Sequence, residues 1–293
     1  MMKKLLGRTN DYLSLVKFSH TVFAMPFALV GFFLGTEAAG DGFSLKIFLL
    51  IIACMVFARS AAMGFNRYAD HRFDIMNPRT AGREIPAGKI SQRHALVFVI
   101  TSSVLFIVAA GLINRLTLVL SPVALAVILG YSYTKRFTPL CHFILGLGLS
   151  LAPIGAYIAV TGTFALLPLI YSALVLTWVS GFDIIYALQD DEFDREAGLY
   201  SIPAVMSRRS ALIISVLLHV VSALLVAAAG LAGDGGAIYF IGATVFLALL
   251  AYQHSIVRPD DLSRVNLAFG TTNGIAGLIY GVMVIIDLLT RIL

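Results

Sequence analysis

Charge is what this chain has least of. Only 13% of its 293 residues are Asp, Glu, Lys or Arg, where a soluble domain carries about 25%. With 59% hydrophobic residues and a mean hydropathy of +0.91, that deficit excludes an ordinary soluble fold. Cysteine is scarce too. Cys54 and Cys141 both fall in apolar stretches, which excludes a disulfide framework and a cysteine zinc site and leaves two small packing residues. The net charge of +5 is spread in short groups between apolar runs, so it marks membrane orientation and gives no reason to propose nucleic acid.

What is present in abundance is long apolar sequence. A helix needs about 20 mostly apolar residues to cross the hydrocarbon core. Nine stretches qualify, at about 16–36, 44–66, 92–112, 116–133, 140–160, 166–188, 210–232, 236–254 and 265–289. The first reads as a helix and not as a cleaved signal, because it is long and more spans follow. Pro26, Pro122 and Pro153 lie within these stretches, which membrane helices tolerate. With the N-terminus inside, seventeen of the 21 Lys and Arg residues fall on the inner side and only Arg115 and Arg291 on the outer. Lys46 and Arg59 lie within spans. The expectation is an all-α polytopic membrane protein with its N-terminus and two long basic loops in the cytoplasm.

Against so little charge, two acidic clusters stand out. The first is N-R-Y-A-D-H-R-F-D at 66–74 and the second Y-A-L-Q-D-D-E-F-D at 186–194. Each places carboxylates four apart, one turn of a helix, where an apolar stretch runs out. Carboxylates in such surroundings are costly unless they are paired, solvated or holding a cation. Carboxylates from two segments can hold Mg²⁺ together with a phosphate.

A repeat underlies the layout. After the first cluster comes R-x-A-G at 79–82 and I-P-A at 85–87; after the second, R-x-A-G at 195–198 and I-P-A at 202–204. The chain reads as one transmembrane domain of two related four-helix halves, about 14–135 and 138–255, plus a ninth helix at about 265–289. Such halves place a shared site at their interface. Both loops, at about 20 residues, exceed the usual helix–helix link and look like lids over a cavity mouth.

The residue types suit ionisation of an allylic diphosphate, which needs fixed positive charge against the leaving group. Asp70, Asp74, Asp190 and Asp194 are the candidate Mg²⁺ ligands. Lys135 and Arg136 can reach phosphate oxygens, with Arg72, Arg79 and Arg83 next in rank. Asn66 and Gln189 can orient metal-bound water or donate to phosphate. Tyr131, Tyr133, Tyr186 and Phe65 offer aromatic faces to a carbocation. Arg59, seven residues before Asn66, lies deeper on the same face; it either clamps a substrate carboxylate or pairs internally with Asp183. Asp191 and Glu192 adjoin the second cluster, and one of each adjacent pair must face away. His20, His142 and His219 read as satisfied core residues, His71 and His94 as solvated ones.

N-x-x-x-D-x-x-x-D at Asn66, Asp70 and Asp74, D-x-x-Y-A-x-Q-D-x-x-x-D at Asp183, Tyr186, Gln189, Asp190 and Asp194, and Y-x-x-x-K-R at Tyr131, Lys135 and Arg136 together resemble the UbiA superfamily of intramembrane prenyltransferases. The resemblance implies a helical barrel around a central cavity, Mg²⁺ dependence, and transfer from a polyprenyl diphosphate to an aromatic acid. 4-Hydroxybenzoate, on the ubiquinone route, is the default acceptor. The opening K-F-S-H-T-V-F-A-M-P at 17–26 looks more like the branch beside the futalosine route to menaquinone, which makes 1,4-dihydroxy-6-naphthoate the alternative. Two rivals come from elsewhere. A cation-coupled transporter would hold its acids near the bilayer midplane, and a CDP-alcohol phosphotransferase would carry D-G-x-x-A-R ahead of the first cluster, which is absent here.

Overall fold

The computed structural model describes residues 11, 12, 14–16 and 23–292. The described elements are helices α1 (Met25–Ala39), α2 (Leu45–Ala69), α3 (His71–Met76), α4 (Gln92–Ile113), α5 (Arg115–Thr134), α6 (Cys141–Thr161), α7 (Leu166–Ala187), α8 (Asp191–Glu196), α9 (Ile202–Val205), α10 (Arg208–Ala232), α11 (Ala237–Ile256) and α12 (Asn273–Ile292). Among the described residues no strand forms, and eight helical segments are long and apolar enough to cross a membrane.

Local chemistry sets most boundaries. Ser44, Ser91, Asn114 and Ser207 cap the starts of α2, α4, α5 and α10 by accepting backbone N–H groups of the first turn, the bonds a helix N-terminus otherwise lacks. Gly40 and Gly162, both at φ 69°, end α1 and α6 in the left-handed region, which glycine adopts without a Cβ clash.

The first expected span changes. Its helix begins only at Met25, with Pro26 in the first turn. Proline suits that position because its fixed φ is helical and its missing N–H is not needed there. α1 has 15 residues, about 22 Å of helix, shorter than a bilayer core. Lys17 and His20 of the opening motif lie outside the described residues.

α1 packs on α6, α6 on α7, α7 on α10, α10 on α11, α11 on α12 and α12 back on α1, while α2, α4 and α5 pack together and reach α6. Trp178 of α7 is fully buried against Phe27, Phe182 and Phe246. Close approach depends on small residues. A Cβ at Gly31 would lie 2.0 Å from the Pro153 carbonyl oxygen, so α1 and α6 touch backbone to backbone there. The outer surface is apolar: Val97, Ile100, Val104, Val108 and Leu112 form an exposed stripe on α4, spaced as one helix face. A stripe of that kind turned outward suits lipid, and the chain is an integral membrane protein.

One arrangement occurs twice. α2 breaks at Asp70 (φ −90°, ψ 3°) and the six-residue α3 follows. α7 passes through a 3-10 turn, Leu188–Asp190, to Asp190 (φ −116°, ψ 5°), and the six-residue α8 follows. The acidic clusters therefore straddle helix breaks and do not run along one continuous helix face.

Candidate active site

The two breaks face each other across a polar cavity of about 150 Å³. Its lining includes Asn66, Asp70, Asp74, Asp190 and Asp194, with Arg79, Arg83, Lys135 and Arg136 among them. Every one of these four aspartates meets a cation. Asp70 Oδ1 accepts from Arg136 Nη2 at 3.5 Å, and its Oδ2 from Asn66 Nδ2 at 2.9 Å. Asp74 accepts from Arg83 Nη1 at 2.6 Å. Asp190 accepts a fork from Arg79, Nε at 2.8 Å and Nη2 beside it, and a further bond from Asn77 at 3.0 Å. Lys135 Nζ sits 2.7 Å from Asp194, which also accepts from Ser201 at 2.9 Å.

Among the described residues, no three carboxylate, imidazole or thiol groups converge on one point. Four like charges in a poorly solvated cavity repel, and each is drawn to its own cation instead. Burial pushes the Asp70 carboxyl up to about 6, with Asp74 adding to the rise and Arg136 and Lys135 opposing it.

A larger, mostly apolar cavity of about 500 Å³ lies deeper and shares Asn66, Arg83, Tyr131, Asp183 and Tyr186 with the polar one. Arg59 lines this deeper space, among Met55, Met63 and Phe106. Tyr186 accepts from Arg79 at 2.9 Å and stacks on Phe269 with ring centroids 4.1 Å apart.

Several expected site residues lie elsewhere. Arg72 is exposed and outside both cavities, because two residues along a helix from inward-facing Asp74 is about 200° around its axis. Gln189, on the 3-10 turn, donates to the Tyr186 carbonyl at 3.3 Å and lines neither cavity. Tyr133 and Phe65 pack on each other, 5.6 Å between centroids, with Arg136 over Tyr133 at 4.7 Å. Asp191 turns away to a fork from Arg208, 2.7 and 2.9 Å. Asp183 pairs with His142 at 2.7 Å. Sequence reasoning missed Asn77 and Ser201. Asn77 had a signal, since N-P directly after an acidic cluster marks a turn.

The profile of the UbiA prenyltransferase family matches residues 24–276. A 4-hydroxybenzoate octaprenyltransferase from Alkalilimnicola ehrlichii is 33% identical over 239 residues, covering 80% of each chain. Among solved structures, the apo form of a UbiA homolog from Aeropyrum pernix has a TM-score of 0.79 and 31% identity, covering 94% of this chain and 98% of that one. A UbiA homolog from Archaeoglobus fulgidus bound to DMAPP and Mg²⁺ has a TM-score of 0.73 at 20% identity, covering 94% and 99%.

Proposed function

Because the chain belongs to the UbiA prenyltransferase family, we propose that it moves a polyprenyl group from a polyprenyl diphosphate to a ring carbon of a hydroxylated aromatic acid. The acceptor in this reading is 4-hydroxybenzoate, and the product a respiratory quinone precursor. One observation carries it: two acidic clusters face each other in a cation-lined polar cavity that shares a wall with a larger apolar one. That is the shape of a substrate with a charged head and a hydrocarbon tail.

The donor set suits Mg²⁺, a hard cation that takes oxygen ligands, often one or two carboxylates plus phosphate. Asp74 Oδ2 is buried with no hydrogen-bond partner among the described residues, a vacant oxygen of the right kind. Asp70 and Asp74 on one side, and Asp190 and Asp194 on the other, would hold the metal. When bound, Mg²⁺ supplies positive charge against the departing diphosphate.

The chain's own residues do the rest. Arg79, Arg83, Lys135 and Arg136 release their aspartates and turn to phosphate oxygens, so the cavity carries fixed positive charge where negative charge develops. The apolar cavity receives the prenyl chain and keeps water from the allylic cation. Tyr131 and Tyr186, on the shared wall, present π faces to that cation. Incubating membranes with labelled prenyl diphosphate and each aromatic acid tests the reading. Label should enter 4-hydroxybenzoate only when Mg²⁺ is present, and transfer to neither acid would overturn it.

Lys135 and Arg59 should separate by substrate. Losing a charge-assisted hydrogen bond costs about 1.5–3 kcal/mol, roughly 10- to 150-fold. Lys135→Ala should weaken use of the prenyl diphosphate with every acceptor. Arg59→Ala should chiefly raise KM for the aromatic acid and matter much less for a phenol without the carboxylate. Equal losses with both acceptors would make Arg59 structural.

Orientation is part of the same reading. Cysteines at exposed Asp41 and Asp234 should react with an impermeant reagent in intact cells, on a Cys54→Ser, Cys141→Ser background. Cysteines at exposed Lys89 and Glu192 should not react until the membrane is broken, and the reverse pattern would invert the topology.

A further inference from the structure

Five aspartates line the polar cavity, and one of them is held differently. Asp70, Asp74, Asp190 and Asp194 each face an Arg or Lys. Asp183 faces an imidazole: its Oδ2 lies 2.7 Å from His142 Nδ1. The backbone N–H of Ile202 donates to His142 Nε2 at 3.2 Å. A ring nitrogen that accepts carries no proton, so the single proton of this imidazole is on Nδ1 and points at Asp183. The carboxylate therefore has an orienting donor but, among the described residues, no Arg or Lys to tie up its charge.

Its position matters as much. Asp183 lies on α7 four residues before its end at Ala187, about one turn deeper than the break that carries Asp190. It lines both cavities, at the wall where the charged head and the apolar tail of the donor substrate would meet. The support behind it is built in. His142 is 2% exposed, and Ile202, the isoleucine of the second I-P-A element, is 5% exposed. The neighbouring Ser201 donates to Asp194, so the loop that orients the imidazole is also fastened to the second acidic cluster.

We propose that Asp183 is the proton acceptor for the hydroxyl group of the aromatic substrate, and that His142 is its positioning residue. This rests on the prenyl-transfer reading above. As the C1–O bond of the prenyl diphosphate breaks, the diphosphate leaves with the electron pair. Asp183 takes the phenolic proton, and the ring carbon ortho to that oxygen forms the new C–C bond to C1, giving a dienone. The dienone loses the hydrogen of the attacked carbon as a proton to water, while its oxygen recovers a proton from Asp183. One proton and one diphosphate leave for each bond made.

The test compares acceptors of different hydroxyl acidity at one fixed pH, which holds constant the other titratable groups of this wall, Tyr131, Cys141 and Tyr186. The full chain in lipid nanodiscs is assayed with 4-hydroxybenzoate and with 3-fluoro-4-hydroxybenzoate, whose hydroxyl ionises more readily and whose other ortho carbon is open. Each variant's rate is taken relative to wild type with the same acceptor. Asp183→Asn should lose about 100-fold with 4-hydroxybenzoate, as for a positioned general base, and under about 10-fold with the fluorinated acid. His142→Gln keeps an N–H donor and should stay near wild type, while His142→Leu should show the acceptor-dependent pattern of Asp183→Asn.

Equal losses with both acceptors, or no loss in folded Asp183→Asn, would overturn the assignment. Should Asp183→Asn not fold, the His142 pair decides: identical behaviour of Gln and Leu overturns it. Wild-type protein that prenylates no hydroxylated aromatic acid defeats the functional reading itself. Transfer by wild type with an indifferent Asp183→Asn defeats only this inference.

Discussion

Asp70→Asn and Asp190→Asn are each expected to lower prenyl transfer by about 10²–10³-fold, the usual cost of losing a preorganised electrostatic group. Chelation with EDTA should abolish activity, and Mg²⁺ should restore it. Asparagine keeps the shape and one acceptor oxygen, so Asn66 can still donate at position 70. Position 190 is harsher, because Arg79 forks onto both carboxylate oxygens and Asn77 adds a third bond. An amide cannot accept the fork with its NH₂ group, so a fall in thermal stability should accompany the lost turnover there. Asp191→Asn is the control. Its carboxylate answers to Arg208, away from the cavity, and activity should stay within a few-fold of wild type. Near-normal turnover of folded, purified Asp70→Asn or Asp190→Asn would remove that cluster from the metal site.

The second large effect concerns folding. Gly31→Val should yield little or no monodisperse protein in detergent, and any that survives should melt far below wild type. A Cβ there would sit 2.0 Å from the Pro153 oxygen and 2.8 Å from its carbonyl carbon. Those are backbone atoms, which cannot swing aside as a side chain can, so α1 and α6 must separate. Overpacking typically costs 1–3 kcal/mol even where side chains can adjust, and membrane helix contacts of this kind rely on small residues because no hydrophobic drive pulls helices together in lipid. Gly130→Ala is the matched comparison, since a Cβ at Gly130 meets nothing within 4 Å and alanine favours the helix. A Gly31→Val protein with wild-type melting would show that α1 is not clamped against α6.

How far the sequence speaks depends on the range of the interaction. Span boundaries from α2 to α11 were legible to within a few residues, because apolar length and capping residues such as Ser91 and Ser207 are local signals. The start of α1 was not, since Pro26 can sit inside a membrane helix or open one, and only packing decides. The acidic clusters were visible from spacing, yet the helix breaks at Asp70 and Asp190 changed which neighbours face inward, and Arg72 and Gln189 fell out of the cavities. The cross-chain partners were least legible. Asn77 meets Asp190 across 113 residues and His142 meets Ile202 across 60, and no periodicity in one sequence encodes such a meeting.

The two R-x-A-G elements look interchangeable on paper, but they are put to different uses. Arg79 crosses to grip Asp190, while its counterpart Arg195 donates to the Ala204 carbonyl at 3.2 Å within its own loop. All four cations that hold the aspartates come from residues 79–136. The later repeat contributes carboxylates without contributing their counter-charges. A chain divided between Arg136 and Cys141 would therefore give one fragment with surplus positive charge and one whose Asp190 and Asp194 had lost their cations. The two elements are alike in sequence, yet neither can stand in for the other.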